Sequence, residues 1–279
     1  MKRLLSIELQ KIWRSRASRI LTISYFVLLS FIALIASIKF DIGEFKLHIA
    51  EQGIFNFPYI WHFNTHIAAV LKLFLAIVIV SMMSNEYSYG TLKQNLIDGL
   101  SKREFVTSKF LTVVLFAAIS TVFIFVMSMI LGLSFSSYTE PSIIFSDLEY
   151  LLAYFLKLVA FFSFCLFLGI LVKRSAFAIG FLFVWNIIEG IVKAVLTFKV
   201  FPDSPTAGNI MQFFPLEAMS NLILEPFTRL SAIKTLETAI GGNVTPKDYS
   251  VSITAIVIVI AWTVIFVLSS YKLLKKRDL

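Results

Sequence analysis

The sequence predicts an all-α integral membrane protein with six transmembrane helices. Three observations carry that expectation. Hydrophobic residues fill 58% of the 279 positions and charged residues only 15%, with a mean hydropathy of +0.85; a soluble domain carries about 25% charged residues. Phenylalanine alone accounts for 29 positions, more than a water-soluble core could cover. Apolar runs of bilayer-spanning length, about 20 residues each, recur along the chain and leave little room for a separate soluble domain. Residues 1–279 therefore read as one membrane domain, with no shift of composition and no internal repeat.

The elements follow in order. Met1–Arg19 is basic and amphipathic, with Leu5, Leu9, Ile12 and Trp13 on one face and Arg3, Lys11 and Arg14 near the other. Such a helix lies in the headgroup layer before the chain enters the membrane. The first span, Ile20–Ile38, is longer than the roughly 7–15-residue core of a signal peptide and lacks a small-residue cleavage site, so it is expected to stay uncleaved. The next spans are His66–Met83, Phe110–Phe135, Tyr150–Val172, Ala176–Phe198 and Val251–Tyr271. Lys173, Arg174 and Ser175 part the fourth from the fifth, and that basic turn makes a tight hairpin. The segment 199–250 holds Pro202, Pro205, Pro215, Pro226 and Pro246, so it breaks into short pieces. Within it, Leu216–Leu224 and Thr228–Ile240 have helix-forming composition and are expected to rest on the outer membrane surface or re-enter it slightly.

Charge sorts these spans into two sides. The N-terminus, the loop 84–109, the 173–175 turn and the C-terminal tail together carry 16 basic and 5 acidic residues, against 6 basic and 11 acidic on the other side. The positive-inside bias puts both termini in the cytoplasm of a cell membrane, the bacterial inner membrane. The net charge of +8 is thus a topology signal, and nucleic acid is not an expected partner.

Several chemistries are missing. Cys165 is the single cysteine and no Cys/His cluster has metal spacing, so neither a disulfide nor a metal site is expected. No Gly-x-x-x-x-Gly-Lys-[Ser/Thr] phosphate loop occurs, so the chain is not by itself an ATPase of that class. An intramembrane protease would need a buried Ser–His pair or two aspartates within spans. His48, His62 and His66 instead fall on the outer side or at its edge, and no Asp lies within a span.

The loop 84–109 is the most informative segment. Thr91 and Gln94 match a capping box and Gly99 sits where a helix ends, which bounds a short helix, Thr91–Asp98, with Leu92 and Leu96 one turn apart. Ser101 and Glu104 form a second box that starts the third span. A helix this short is marginal alone in water, so it is expected to dock on something.

The pattern Glu86-Tyr-Ser-Tyr-Gly90-Thr91-Leu92, then Leu96, then Ser101-Lys-Arg103, then Lys109 entering a span, resembles the permease subunits of type-2 ABC transporters, including multidrug and antibiotic-resistance exporters. The likeness covers the whole chain in layout and about 25 residues in motif. It implies that the short helix is the coupling helix of an ATPase-driven permease. Glu86, Gly90, Thr91, Leu92, Leu96, Gly99 and Arg103 would be its coupling residues, and 1–19 its elbow helix. The family often places a proline before the Ser-Arg, where this chain has Leu100.

The resemblance further implies partners: cytoplasmic ABC ATPase subunits that bind ATP and Mg, and a second permease subunit, identical or paralogous. No cofactor is expected in this chain. Export is carried by the resemblance alone. Two other readings stay open: an ion-coupled secondary transporter using Glu189 and Lys193, and a non-transporting membrane scaffold. Glu86 could also be no more than an interfacial carboxylate held by Lys93 or Lys109. Finally, Lys72, Lys157, Glu189 and Lys193 fall within spans. Glu189 and Lys193 are spaced to neutralise each other. That leaves two lysines either snorkelling or lining an externally open, net-positive vestibule for the anionic or zwitterionic headgroups of an amphipathic substrate; membrane lipids are expected as surrounding partners.

Overall fold

The computed structural model describes residues 2–42, 45–48, 53–202, 204–229 and 248–277. Its helices are α1 (Lys2–Arg14), α2 (Arg16–Ser37), α3 (Tyr59–Val70), α4 (Leu73–Ser88), α5 (Thr91–Ile97), α6 (Lys102–Phe135), α7 (Pro141–Ile144), α8 (Glu149–Val172), α9 (Ser175–Val195), α10 (Thr206–Met211), α11 (Pro215–Asn221) and α12 (Ile253–Lys275). A short antiparallel hairpin, β1 (Lys39–Ile42) with β2 (Phe45–His48), joins α2 to the segment before α3.

Among the described residues, five stretches are single helices long and apolar enough to cross a membrane: α2, α6, α8 with the turn before it, α9 with the wider turn Leu196–Val200, and α12. A sixth crossing exists if α3 and α4 count as one span bent by 47°. The chain is thus a polytopic helical membrane protein. The break changes the second span, which the sequence suggested as one run from His66. Counted as one crossing, the pair starts at Tyr59, and the polar side chains of α3 find partners in the bundle or on the helix itself. His62 Nε2 contacts the Leu224 carbonyl at 2.9 Å, Asn64 donates to Ser128 Oγ at 2.8 Å, and Thr65 donates to the Trp61 carbonyl at 2.7 Å.

α8 is the centre. Its window is 72% buried, against 11% for α9 and 17% for α12, and it touches α3, α4, α6, α9, α11 and α12. Tyr25 of α2, Ser120 of α6 and Tyr154 of α8 close a buried hydroxyl triangle at 2.5–2.9 Å, which removes the penalty for burying each group unpaired. The lightly buried helices present Phe31, Leu34, Phe183, Ile187, Val257 and Val264 outward, as faces against lipid require.

Both ends of the chain sit at one end of the bundle. Lys102, at the start of α6, donates to the Arg277 carbonyl at 2.8 Å. Arg277 in turn donates to the last carbonyls of α8, Ile170 and Leu171, and to Tyr87 Oη, a cation at a helix C-terminus where the dipole favours it. At the far end, Arg229 sits over the rings of Tyr59 and Tyr249 and contacts His62, which stacks on Tyr150 at 4.3 Å. That clasp holds the segment after α11 to the bundle. Of the expected helix Thr228–Ile240, Phe227–Arg229 forms a single tight turn and the remainder lies outside the described residues.

Candidate functional site

α1 packs on α2, α4 and α6. Its buried positions are Glu8 and Ile12, while Trp13, which shares the apolar face with Ile12 in the sequence reading, is 56% exposed. One turn later on the same face as Glu8 comes Lys11, and together they bring an ion pair to the end of α4.

There Glu86, 2% exposed, joins four helices. Its Oε1 accepts from Lys109 Nζ of α6 at 2.6 Å and from Lys11 Nζ of α1 at 2.8 Å. Its Oε2 accepts from Thr91 Oγ1 of α5 at 2.5 Å, with Asn95 Nδ2 at 3.5 Å. Lys109 is fully buried, donates also to Glu8 Oε2 at 2.5 Å, and lies 5.1 Å from the Phe105 ring centre. Lys11 Nζ completes the set at 3.5 Å from Glu8 Oε1. Two carboxylates and two ammonium groups balance, and the strong acceptors and donors are met, which is the condition under which buried charge survives. Burial would lower the Lys11 pKa, but the hydrogen bond to Glu86 and the charges of Glu8 and Glu86 outweigh it and hold the ammonium above its ordinary value.

α5 hangs from this junction. Gly90, at φ +68°, makes the left-handed turn into it, and Gly99, at φ +95°, makes the turn out. The expected Thr91–Gln94 capping box is not formed. The N-cap position is Gly90; Thr91 gives its hydroxyl to Glu86, and Gln94 donates to Asp98 at 2.9 Å. A carboxylate one turn back is a stronger acceptor than a free backbone group can replace. The second box is present: Ser101 Oγ accepts from the Glu104 N–H at 3.1 Å, and Glu104 accepts from the Ser101 N–H at 3.0 Å. Leu92 is buried and Leu96 half-buried against the bundle, whereas Lys93, Gln94 and Asp98 are exposed together with Ile97 (70%) and Tyr89 (77%). Arg103 is exposed on the first turn of α6.

The four intramembrane charges separate into different roles. Glu189 and Lys193 do not pair with each other. Glu189 accepts from the backbone N–H of Leu216 at 3.1 Å and of Glu217 at 3.0 Å, and from Trp185 Nε1 at 2.6 Å, so it caps the N-terminus of α11. Lys193 pairs with Glu217 at 2.6 Å. The favourable spacing loses because the open N–H groups of α11 offer the carboxylate two donors and a helix dipole at once. Lys157 is 4% exposed within α8. Lys72 lies at the α3–α4 break with its Nζ 4.7 Å from the Phe161 ring centre. It lines a cleft of about 250 Å³ together with Phe161 of α8, Leu182 and Asn186 of α9, and Met219 and Ser220 of α11.

Sequence reasoning reached Glu86 and named Lys109 as one candidate for its partner, but missed Glu8, Lys11, Asn95 and Arg277. A signal for the first existed: Glu8 is the lone acidic residue of a basic N-terminal stretch.

A helical bundle with six possible crossings and an ionic junction tying its terminal helix to a short inter-span helix defines a polytopic membrane protein. The chain belongs to the family described as protein of unknown function (DUF2705), whose model matches residues 27–279. It is also similar to the uncharacterized protein YhcI of Bacillus subtilis (strain 168), at 33% identity over 79 residues; the match covers 27% of this chain and 25% of that protein.

Proposed function

We propose that the chain is the permease subunit of a type-2 ABC exporter, with α5 as the helix that receives force from a cytoplasmic ATPase. The single observation that supports this most is the Glu86 carboxylate, which binds α5 to α1, α4 and α6 at once. A displacement of α5 cannot then stay local; it draws the second and third spans and the terminal helix with it, as a two-state element needs. The exposed Tyr89 and Ile97 beside Lys93 and Asp98 form the kind of mixed apolar tip that fits a cleft on a soluble subunit. In this reading ATP and Mg belong to the partner, the end with both termini is cytoplasmic, and a second permease covers part of the exposed apolar faces. The secondary-transporter reading has less support, since Glu189 and Lys193 are both engaged in holding α11.

The test begins with mild detergent extraction of the tagged full chain. A cytoplasmic ATPase should copurify with the wild type and be lost with Ile97→Asp. Glu86→Ala and Gly99→Val should retain the ATPase but uncouple its hydrolysis from transport. Absence of any ATPase from the intact protein, or wild-type coupling in both variants, would reject the assignment.

A further inference from the structure

The cleft at the α3–α4 break holds an unbalanced cation. Among the described residues Lys72 forms no ion pair and no hydrogen bond through its Nζ; its one contact of note is the face of Phe161 at 4.7 Å. Behind it Lys157, 4% exposed, is also without an ion pair among the described residues. The carboxylates on the neighbouring elements are taken, Glu189 by the amides of α11 and Glu217 by Lys193. From Glu86 to Lys72 the chain rises about 21 Å along α4, so this charge is deep in the bundle. Cations at such depth are costly unless they meet water, a partner or a ligand.

The walls say what kind of ligand fits. Phe161, Leu182, Phe183, Leu73 and Met219 make the cleft mostly apolar, while Lys72, Asn186 and Ser220 supply polar groups. The volume of about 250 Å³ accommodates a small headgroup and the start of a chain, but not a whole lipid. Phe183 and Ile187 of α9, 52% and 59% exposed, continue the apolar surface out of the cleft along the side of the bundle. A soluble anion would gain nothing from that surface. An acyl chain would.

We propose that this cleft binds an anionic amphiphile of the phospholipid class, its phosphate on Lys72 with Asn186 and Ser220 alongside, and its chain lying along α9. The site belongs to this chain alone and needs no ATPase, so it stands or falls separately from the function proposed above.

The test uses the full-length protein in a neutral detergent, with native mass spectrometry reading bound lipid during titration with phosphatidylglycerol or phosphatidylcholine. The wild type should retain one phosphatidylglycerol with at least tenfold preference. Lys72→Gln should lose that preference, and Lys72→Arg should keep it. Asn186→Trp, which fills the cleft from an exposed position and leaves the lysine in place, should reduce phosphatidylglycerol binding about tenfold. Inorganic phosphate at millimolar concentration should not displace the lipid. Equal retention of the two lipids by the wild type, undiminished preference in Lys72→Gln, or unchanged binding in Asn186→Trp would each overturn the proposal. Displacement by phosphate alone would overturn it in favour of a soluble anion.

Discussion

Glu86 and Lys109 are 2% and 0% exposed, and neither can lose its partner without leaving a charge stranded. Removing one member of a buried pair costs about 3–5 kcal/mol, whereas replacing the pair with apolar groups can be nearly neutral. Lys109→Met should therefore destabilise the protein by about that amount, because Glu8 and Glu86 are left facing each other with only the half-exposed Lys11 between them. Glu8→Gln should cost less, since Lys109 keeps Glu86. Thermal unfolding in detergent would rank the two, and equal losses would contradict the hub position of Lys109. The pH sign also follows for Lys11. Its pKa is raised from 10.5, so its contribution is complete at neutral pH, begins to fall only above that ordinary value, and is lost as pH passes the folded pKa. Lys109 was legible as a partner of Glu86 because it lies 23 positions away in the same loop-and-span unit. Glu8 was not, because 101 positions separate it from Lys109 and no spacing rule reaches across a fold.

At the scale of elements, the short helices are held by side chains from elsewhere, and their stability should respond to distant changes. α5 has seven residues, too few to persist without docking. Gly90 and Gly99 provide left-handed turns that cost other residues roughly 1–2 kcal/mol. Gly99→Val should accelerate amide exchange in α5 about tenfold while α8 stays protected; loss of protection in both would mean that α5 is not a separable element. α11 makes the same argument at the far end. Its first N–H groups rest on Glu189, and hydrogen bonds to a charged group contribute about 1.5–3 kcal/mol. Glu189→Leu should release Leu216–Met219 to exchange tenfold faster or more, with α9 unaffected. The sequence showed where these helices lie, through Gly99, Pro215 and the Ser101 box. It did not show what they rest on: Thr91 follows a tertiary acceptor in place of its local cap, and Glu189 abandons Lys193 for a helix end. The polar start of α3 was hidden for a related reason, since His62 and Asn64 are satisfied by the Leu224 carbonyl and by Ser128 on other elements, which no local spacing shows.

For the whole molecule, the decisive question is which loops share a side. The packing puts the N-terminal helix, α5, the start of α6, the α8–α9 turn and the C-terminal residues at one end, through the contacts of Lys11 with Glu86, Lys102 with the Arg277 carbonyl, and Arg277 with the end of α8. That grouping coincides with the one charge sorting gives, with 16 of 25 basic residues on that end. One argument counts charges along a string; the other follows hydrogen bonds between helices. They agree only if α3 and α4 act as one bent crossing, because a re-entrant pair that returned to its own side would move α5 to the far end. Single cysteines test this directly. Cys165 is buried, so a Cys165→Ala background is silent. Cysteines at Ser101 and Ser175 should resist a membrane-impermeant thiol reagent in intact cells and react after permeabilisation. Those at Ser142, in α7, and Ser204, just before α10, should react at once. Labelling of Ser175→Cys without permeabilisation would break the hairpin between α8 and α9. Labelling of Ser101→Cys alone would show that the bent pair does not cross, and the Glu86 junction would then lie on the face away from any cytoplasmic partner.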